Sequence, residues 1–589
     1  MGYLSAPRRP SAFHAAAWLF FLACAGSLAA QEPAEPSGAA EPARAEDFLE
    51  MMDVEIVNID VWVTDRDGAP VHGLGRDDFE ILRDGRPVAT TNFYAVANGR
   101  PESEAASTSA AAEPAGEGGS VRLELPDRSP TLAPEHRLWL VVFIDNYNID
   151  PLERKRVMPA VRTFLGSTLR EGDRAMVVTY DRGLEVKQPF TDNLPVLQAA
   201  LDEVEEESGL AVIRRRERIE VLKRIDDEGN PTRALLFARQ YAEEQMNAVE
   251  YTVSALQELV ESLGGLPGRK ALVHVSSGIP MQAGEELFHV IATRFNVSEV
   301  YGEIPRHSTT RSFERVNRHA NAHRVVFHTL DAGGLRAMDF GSAEFEGFKN
   351  PHVRRTLDSV VPENLQSSLR LMALETGGRV IVNRNEVLPA LIEVGRDFRS
   401  FYSLGISSAT ESSGRFHEIE VRLKEGARDR GYRVRHRSGY RSKTADTRMR
   451  EKLRSALLYA HQSNPLGVEV EWGEAEPGEG RDTYEIPLQL RIPLQDLVLL
   501  PLGEKHELRL RLYAGVVGEE GQASEIEGQN LGLRLAPEHV EAARGEAMIH
   551  NHRILVSRGR QKIGLTLFDV FGREASTITR YVTVGPRDS

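Results

Sequence analysis

Four polar residues, Asp145, Asn146, Tyr147 and Asn148, follow directly on the apolar run Leu138 to Ile144. A carboxylate, two amides and a phenol at the end of a strand buried on both faces can orient a ligand by hydrogen bonds, or can shape a turn by bonding their own main chain. Asp181, Ser277 and Asp331 stand at the ends of three further apolar runs, Arg174 to Tyr180, Gly268 to Ser277 and His323 to Asp331. In an open parallel sheet the carboxyl ends of the strands share one edge, and ligands bind there. The expected binding loop is therefore Asp145, Asn146, Tyr147, Asn148, Asp181, Ser277 and Asp331.

Other residue types allow fewer chemistries. His319 and His323 are four apart and share one face of a helix, a spacing that can hold zinc. No glutamate sits between them and no third ligand is evident, so solvated surface histidines are expected. Ser276 and Ser277 end a strand without the glycine-flanked turn of a hydrolase nucleophile, and no phosphate loop or paired carboxylate motif is present. No catalytic residue is expected.

The elements that must position the polar loop can be read around it. Asp150 precedes Pro151 and is expected to cap a helix running to Leu169, with Glu153 completing a capping box. Strands at Arg174 to Tyr180 and Leu184 to Gln188 follow, then helix over Thr191 to Glu206. Ala211 to Leu263 is strongly helical, and Leu235, Ala238, Ala242, Met246, Val249, Val253, Leu256, Val260 and Leu263 form one apolar seam. That seam is expected on the sheet and the preceding helix, with a coiled-coil partner as the alternative. Arg214 to Arg216, set among glutamates, read as a solvated helix face. A helix over Asn364 to Thr376, closed by Gly377-Gly378, and a strand over Arg379 to Val382 complete the alternation of an α/β domain.

The chain of 589 residues is too long for one core. Arg8 and Arg9, the apolar stretch Ala12 to Leu22 and small residues at Ser27 to Ala30 give residues 1–30 the layout of a secretory signal, so export is expected, to a periplasmic, cell-surface or extracellular location. Cys24 is the one cysteine; a lipid anchor there is the alternative to ordinary cleavage. No later segment is apolar enough to span a membrane. Residues 31–50 read as a spacer, 51–96 as a small β domain with turns at Asp67-Gly68 and Asp84-Gly85, and 97–134 as a linker. Residues 135–408 form the α/β domain, 409–445 a β extension and 449–589 a β-sandwich. The net charge of -15 argues against nucleic acid as a partner.

This order of segments resembles a von Willebrand factor type A domain, and more narrowly a bacterial family of related exported proteins. The resemblance rests also on VWVTDRDGAPVHGLGRDDFEILRDG before the domain, and on ALETGGRV, FRSFYSLGIS, RFHEIEVRL and VRHRSGYR at its end and after it. It implies a Rossmann-like open sheet flanked by helices and a role in protein or ligand binding. It also implies a Mg²⁺ site built from an Asp and two hydroxyls in a DxSxS loop, with a Thr and a second Asp nearby. Asp145 matches the first Asp, but Tyr147 and Ile149 replace both serines, Ser277 stands where the second Asp belongs, and no Gly-Gly-Thr lies near Ser208-Gly209. Asn146 and Asn148 carry oxygens shifted by one position. The expectation is a degenerate site without a cofactor, in which Asp145 organises its loop. Mg²⁺ held by Asp145, Asn146, Asn148 and Ser277 is the alternative. The functional expectation is an exported, non-enzymatic interaction or assembly protein with a protein partner. Metal-dependent adhesion and an envelope enzyme of unmarked type are the alternatives.

Overall fold

A computed structural model describes residues 56–102, 137–335, 351–408, 414–480, 482–519 and 521–585. The leader, Cys24, the spacer and most of the linker lie outside the described residues. The chain begins with strands β1 (Ile56–Thr64), β2 (Phe79–Arg83), β3 (Arg86–Val88), β4 (Thr90–Ala97) and β5 (Arg100–Glu102). Two tight turns join them: Asp84-Gly85 and Asn98-Gly99 all have positive φ, the conformation a two-residue hairpin demands. The Asn98-Gly99 hairpin carries strand pairing past Ala97, into residues that read as linker from composition.

The α/β domain follows. Its sheet contains β6 (Leu138–Ile144), β7 (Arg174–Tyr180), β8 (Leu184–Thr191), β9 (Arg269–Ser276), β10 (Val325–Asp331) and β11 (Val380–Ile381), in the order β11-β10-β9-β6-β7-β8. Only β8 runs antiparallel to its neighbour. Helices α1 (Pro151–Thr168), α2 (Leu194–Glu206), α3 (Ala211–Asp227), α4 (Pro231–Leu263), α5 (Glu285–Phe295), α6 (Thr310–His323), α7 (Pro351–Glu375) and α8 (Leu388–Asp397) surround it. All seven residues of β6 are buried, and they alternate between two cores. Leu138, Leu140, Val142 and Ile144 meet α1, α2 and α8. Trp139, Val141 and Phe143 meet α4, α6 and α7. This two-sided burial is why the strand reads as a continuous apolar run. The mixed α/β fold with additional antiparallel sheets agrees with the sequence reading.

The helical seam is divided. Glu228 to Asn230 separate α3 from α4, and the carboxyl half of α4 packs on the sheet through Val249, Val253, Leu256 and Val260. Its amino half builds a satellite core with α3, α5 and α7 through Ala234, Ala238 and Ala242.

Past the domain come β12 (Phe401–Ser407), β13 (Phe416–Leu423), β14 (Arg433–His436) and β15 (Gly439–Arg441). The sequence reading separates 51–96 from 409–445, but these strands pair with one another. One sheet runs β14-β1-β12-β4-β5 and the other β15-β13-β2-β3. Ile59, Val61, Phe79, Ile81, Leu404 and Ile419 fill the core between them. Neither segment alone has two sheets to enclose these side chains, so the α/β domain is an insertion into a single β body.

Helix α9 (Ala445–Tyr459) leads to the C-terminal part. There one antiparallel sheet holds Thr483–Pro493 and Ala547–Ser557, the other Lys505–Gly518, Gly559–Asp569 and Ala575–Val584. Alternate residues of both enclose a common core. Gly265, just past α4, lets the chain approach α9 closely: a Cβ there would lie 2.1 Å from the Glu451 carbonyl oxygen. Main chain cannot swing aside as a side-chain tip can, so Gly265→Ala is expected to cost about 1–3 kcal/mol. Thermal unfolding checks this, and an unchanged midpoint would show that α4 and α9 can part freely. Among the described residues no helix is long and apolar enough to cross a membrane.

Candidate functional site

The polar loop begins where β6 ends. The Asp145 amide still bonds the Val275 carbonyl of β9 at 2.9 Å, so the side chain is placed by the sheet itself. Asp145 is fully buried. Its Oδ1 accepts from the Asn148 amide at 3.2 Å, and its Oδ2 accepts from Asn148 Nδ2 and from Ser276 Oγ, each at 2.8 Å. Burial raises its carboxyl to about 6, against the lowering effect of these donors and of Arg214. His274 Nε2 lies 3.8 Å from the same carboxylate, but burial pulls that imidazole down to about 3, so it stands beside Asp145 as a neutral ring.

The other members of the loop are held from outside it. Arg154 is fully buried, and its Nη1 donates to Asn146 Oδ1 at 2.7 Å. Its Nη2 donates to the main-chain carbonyls of Glu205 and Glu207. Asn146 Nδ2 in turn donates to Glu207 Oε2 at 2.6 Å. Gly209 lets this segment close in, because a Cβ there would be 3.0 Å from the Asn146 carbonyl. Sequence reasoning missed Arg154. A signal existed: it is a cation in the first turn of a helix, against the dipole, which calls for a local anchor.

Arg214 covers the loop. Its guanidinium lies 4.3 Å from the centre of the Tyr147 ring and donates to Asn148 Oδ1, and Nη2 donates to Gln245 Oε1 at 3.2 Å. Arg215 pairs with Asp150 at 2.9 Å. These contacts overturn the reading of Arg214 to Arg216 as a solvated face: Arg214 and Arg215 dock α3 onto the loop, and Arg216 alone of the three is exposed. Asp150 caps α1 through the Leu152 amide at 2.9 Å. Glu153 does not complete a capping box; it accepts the Ser277 hydroxyl instead.

The remaining strand-end residues line the same edge in separate networks. Ser277 contacts Glu153, and it is Ser276 that reaches Asp145. Asp331 is buried and accepts from the Gly333 amide at 2.9 Å and from Gln366 Nε2 at 2.8 Å, so it shapes its own turn. Asp181 is exposed at the end of β7, where its amide bonds the Gly183 carbonyl at 3.1 Å. His323 is not a solvated surface histidine. It is buried, lies 3.2 Å from Lys443 Nζ and 3.8 Å from the Glu451 carboxylate, and is covered by a segment distant in sequence. Burial, helped by Lys443, holds it down at about 2.

The donor set does not fit Mg²⁺, which needs near-octahedral oxygen ligands and retains several waters. Both Asp145 oxygens accept from their own surroundings, and the amide oxygens of Asn146 and Asn148 accept from Arg154 and Arg214. Among the described residues no group of three or more His, Cys, Asp or Glu could hold a metal.

No family model matches the chain, and no curated protein does. Solved structures it is similar to include an aerotolerance-related membrane protein from Bacteroides fragilis, at 9% identity over 44% of this chain and 98% of that one, with a TM-score of 0.24. A von Willebrand factor type A protein from Catenulispora acidiphila is 10% identical over 76% of this chain and 66% of that one, with a TM-score of 0.21. The pilus adhesin SpaC from Lactobacillus rhamnosus GG is 8% identical over 77% of this chain and 53% of that one, with a TM-score of 0.24. Overlaps this low carry no argument about what the chain does, and the site must speak through its own residues.

Proposed function

We propose that the chain is an exported, non-catalytic interaction or assembly protein whose α/β domain presents Tyr147, Arg214 and their exposed apolar neighbours, set over the largely buried loop Asp145 to Asp150, as a recognition face that works without a bound metal. The observation that carries this reading is the commitment of Asp145, Asn146 and Asn148 to Ser276, Arg154 and Arg214. A guanidinium stands over the loop and supplies positive charge there. The export part rests on the leader read from residues 1–30.

The surroundings of the loop favour a protein partner. Leu152 is 79% exposed two residues past Asp150, and Val212 and Ile213, immediately before Arg214, are 42% and 52% exposed. Apolar side chains around a charged, aromatic centre are the composition of a protein contact surface.

A photo-crosslinking side chain at Ile213, which is exposed and leaves the Arg214 contacts in place, tests this in the cell envelope. The expected result is a discrete protein adduct that forms equally with Mg²⁺ and with EDTA, while MgCl₂ gives the purified chain no saturable heat in calorimetry. An adduct that needs Mg²⁺, or none at all, would overturn the reading.

A further inference from the structure

The outer amides and carbonyls of an edge strand can pair with any further strand, and folded proteins guard such edges by shortening them, covering them or placing Pro, Lys or polar groups there. Most edges of this chain are guarded. β3, β5 and β15 have three residues each, β14 and Glu469–Trp472 four, and β11 two. β8 carries Lys187 and Pro189. Glu527–Leu535 exposes Gly528, Asn530, Gly532 and Arg534. The start of Ala575–Val584 is covered where Thr577 pairs with Ser463 and where Gln462 bonds Thr579.

The strand Ala547–Ser557 of the C-terminal sandwich is the exception among the described residues. Its 11 residues contain no proline, lysine or glycine, and they pair with Thr483–Pro493 residue for residue, from Ala547 on Pro493 to Ser557 on Thr483, without a bulge. No other described strand pairs with it, so its second edge is open. Ile549 and Leu555, on its outward face, are 49% and 62% exposed. Arg553 is paired inside its own sheet with Glu485 at 3.0 Å, which leaves no lone charge on this face to repel an incoming strand.

We propose that this edge pairs antiparallel with the same strand of a second copy, about a two-fold axis at His552, so that two sandwiches share one continuous sheet. The strand's own sequence selects that occupant and that register. With His552 opposite His552, Ile549 of each copy meets Leu555 of the other, Asn551 meets Arg553 and Met548 meets Val556. Directly opposite residues of an antiparallel pair lie on one face in side-chain contact, so each exposed apolar side chain is covered by one from the other copy. A two-fold interface demands such self-complementarity. Neighbouring registers lack it: an axis at Arg553 opposes two guanidinium groups, an axis at Asn551 sets Ile549 against Arg553, and an axis between residues turns the exposed face of one copy onto the core face of the other. Burial and His550 hold the His552 imidazole below the usual histidine range, so the two central rings meet uncharged at neutral pH. The recognition loop belongs to the α/β domain and takes no part in this pairing.

Sedimentation velocity of the full chain at micromolar concentration tests this, and a reversible dimer is expected. Both apolar side chains are exposed, so the double variant Ile549→Lys, Leu555→Lys should fold normally, as circular dichroism will report, and dimerise at least about tenfold more weakly. Register is read separately by disulfide formation in chains that also carry Cys24→Ser. Ile549→Cys chains mixed with Leu555→Cys chains should form a covalent dimer, whereas either chain alone should form none, because its two thiols would lie six residues apart along the paired strands. A chain that sediments as a monomer overturns the proposal and leaves the edge to a strand of some other protein. A dimer indifferent to the two lysines, or crosslinks in the unmixed chains, overturns it as well.

Discussion

Asp145→Ala lowers the stability of the α/β domain by about 2–4 kcal/mol in urea denaturation, and does so in EDTA. The substitution strands two side-chain donors, Asn148 Nδ2 and the buried Ser276 Oγ, while the Asn148 amide keeps the Asp145 carbonyl at 3.1 Å. A buried donor without an acceptor costs roughly 1–3 kcal/mol, and the two are coupled, so their sum is an upper bound. A metal ligand would behave differently. Its removal would abolish ion binding and leave the metal-free protein nearly as stable as before, so a loss below about 1 kcal/mol in EDTA contradicts the structural role. The acid dependence supplies an independent sign. Burial raises the Asp145 carboxyl to about 6, above an unfolded value of roughly 3.9. Folding therefore disfavours the ionised form; that cost is complete above the folded value and is relieved as pH falls through it towards the unfolded one. Between about pH 7 and pH 4 the wild-type chain should gain stability relative to Asp145→Ala. A gap that narrows over that window would mean the carboxylate is held as an anion.

The parts of this site that the sequence discloses are those whose determinants are local. Leu138 to Ile144 is a strand because its residues alternate between two apolar cores, and Asp150-Pro151 starts a helix because the cap and the missing amide act within one turn. The polar strand end at Asp145 follows from these two. What covers it does not. Arg214 reaches the loop only because α3 packs against α4 and α5, and nothing in the pattern of arginines and glutamates separates a docked face from a wet one. His323 gives the same lesson: its spacing from His319 suggests solvent, and its burial comes from α9 and Lys443, far along the chain. The β body is the largest case. Val57, Ile59, Val61 and Val63 alternate as a half-buried strand should, but the strand that pairs with β1 lies beyond the whole inserted domain, and no local signal carries that register.

One carboxylate makes charged bonds to both the inserted domain and this β body, and its removal should have an effect at least as large as that at Asp145. Asp397 ends α8 and is buried. Its oxygens accept from Arg379 Nε and Nη2 at 2.6 and 2.8 Å and from Arg435 Nη2 at 2.7 Å, and its carbonyl takes the Trp62 indole at 2.9 Å. Arg379 belongs to the α/β domain, whereas Arg435 and Trp62 belong to β14 and β1, so a single side chain bridges both bodies. Burial pushes this carboxyl up, but Arg379 and Arg435 outweigh it and hold it below the usual range. Its contribution is therefore fully present above roughly pH 4 and is lost as pH falls through the lower folded value. Asp397→Ala leaves two largely buried guanidinium groups facing each other, which costs about 3–5 kcal/mol when a buried partner is removed. Asp397→Asn keeps the shape and one acceptor and should recover part of this. Because the lost contacts lie between bodies, the expected signature is more than a lower midpoint. Denaturation of the alanine variant should resolve the α/β domain and the β body as two transitions at neutral pH, and one unshifted transition would show that this charge does not join them.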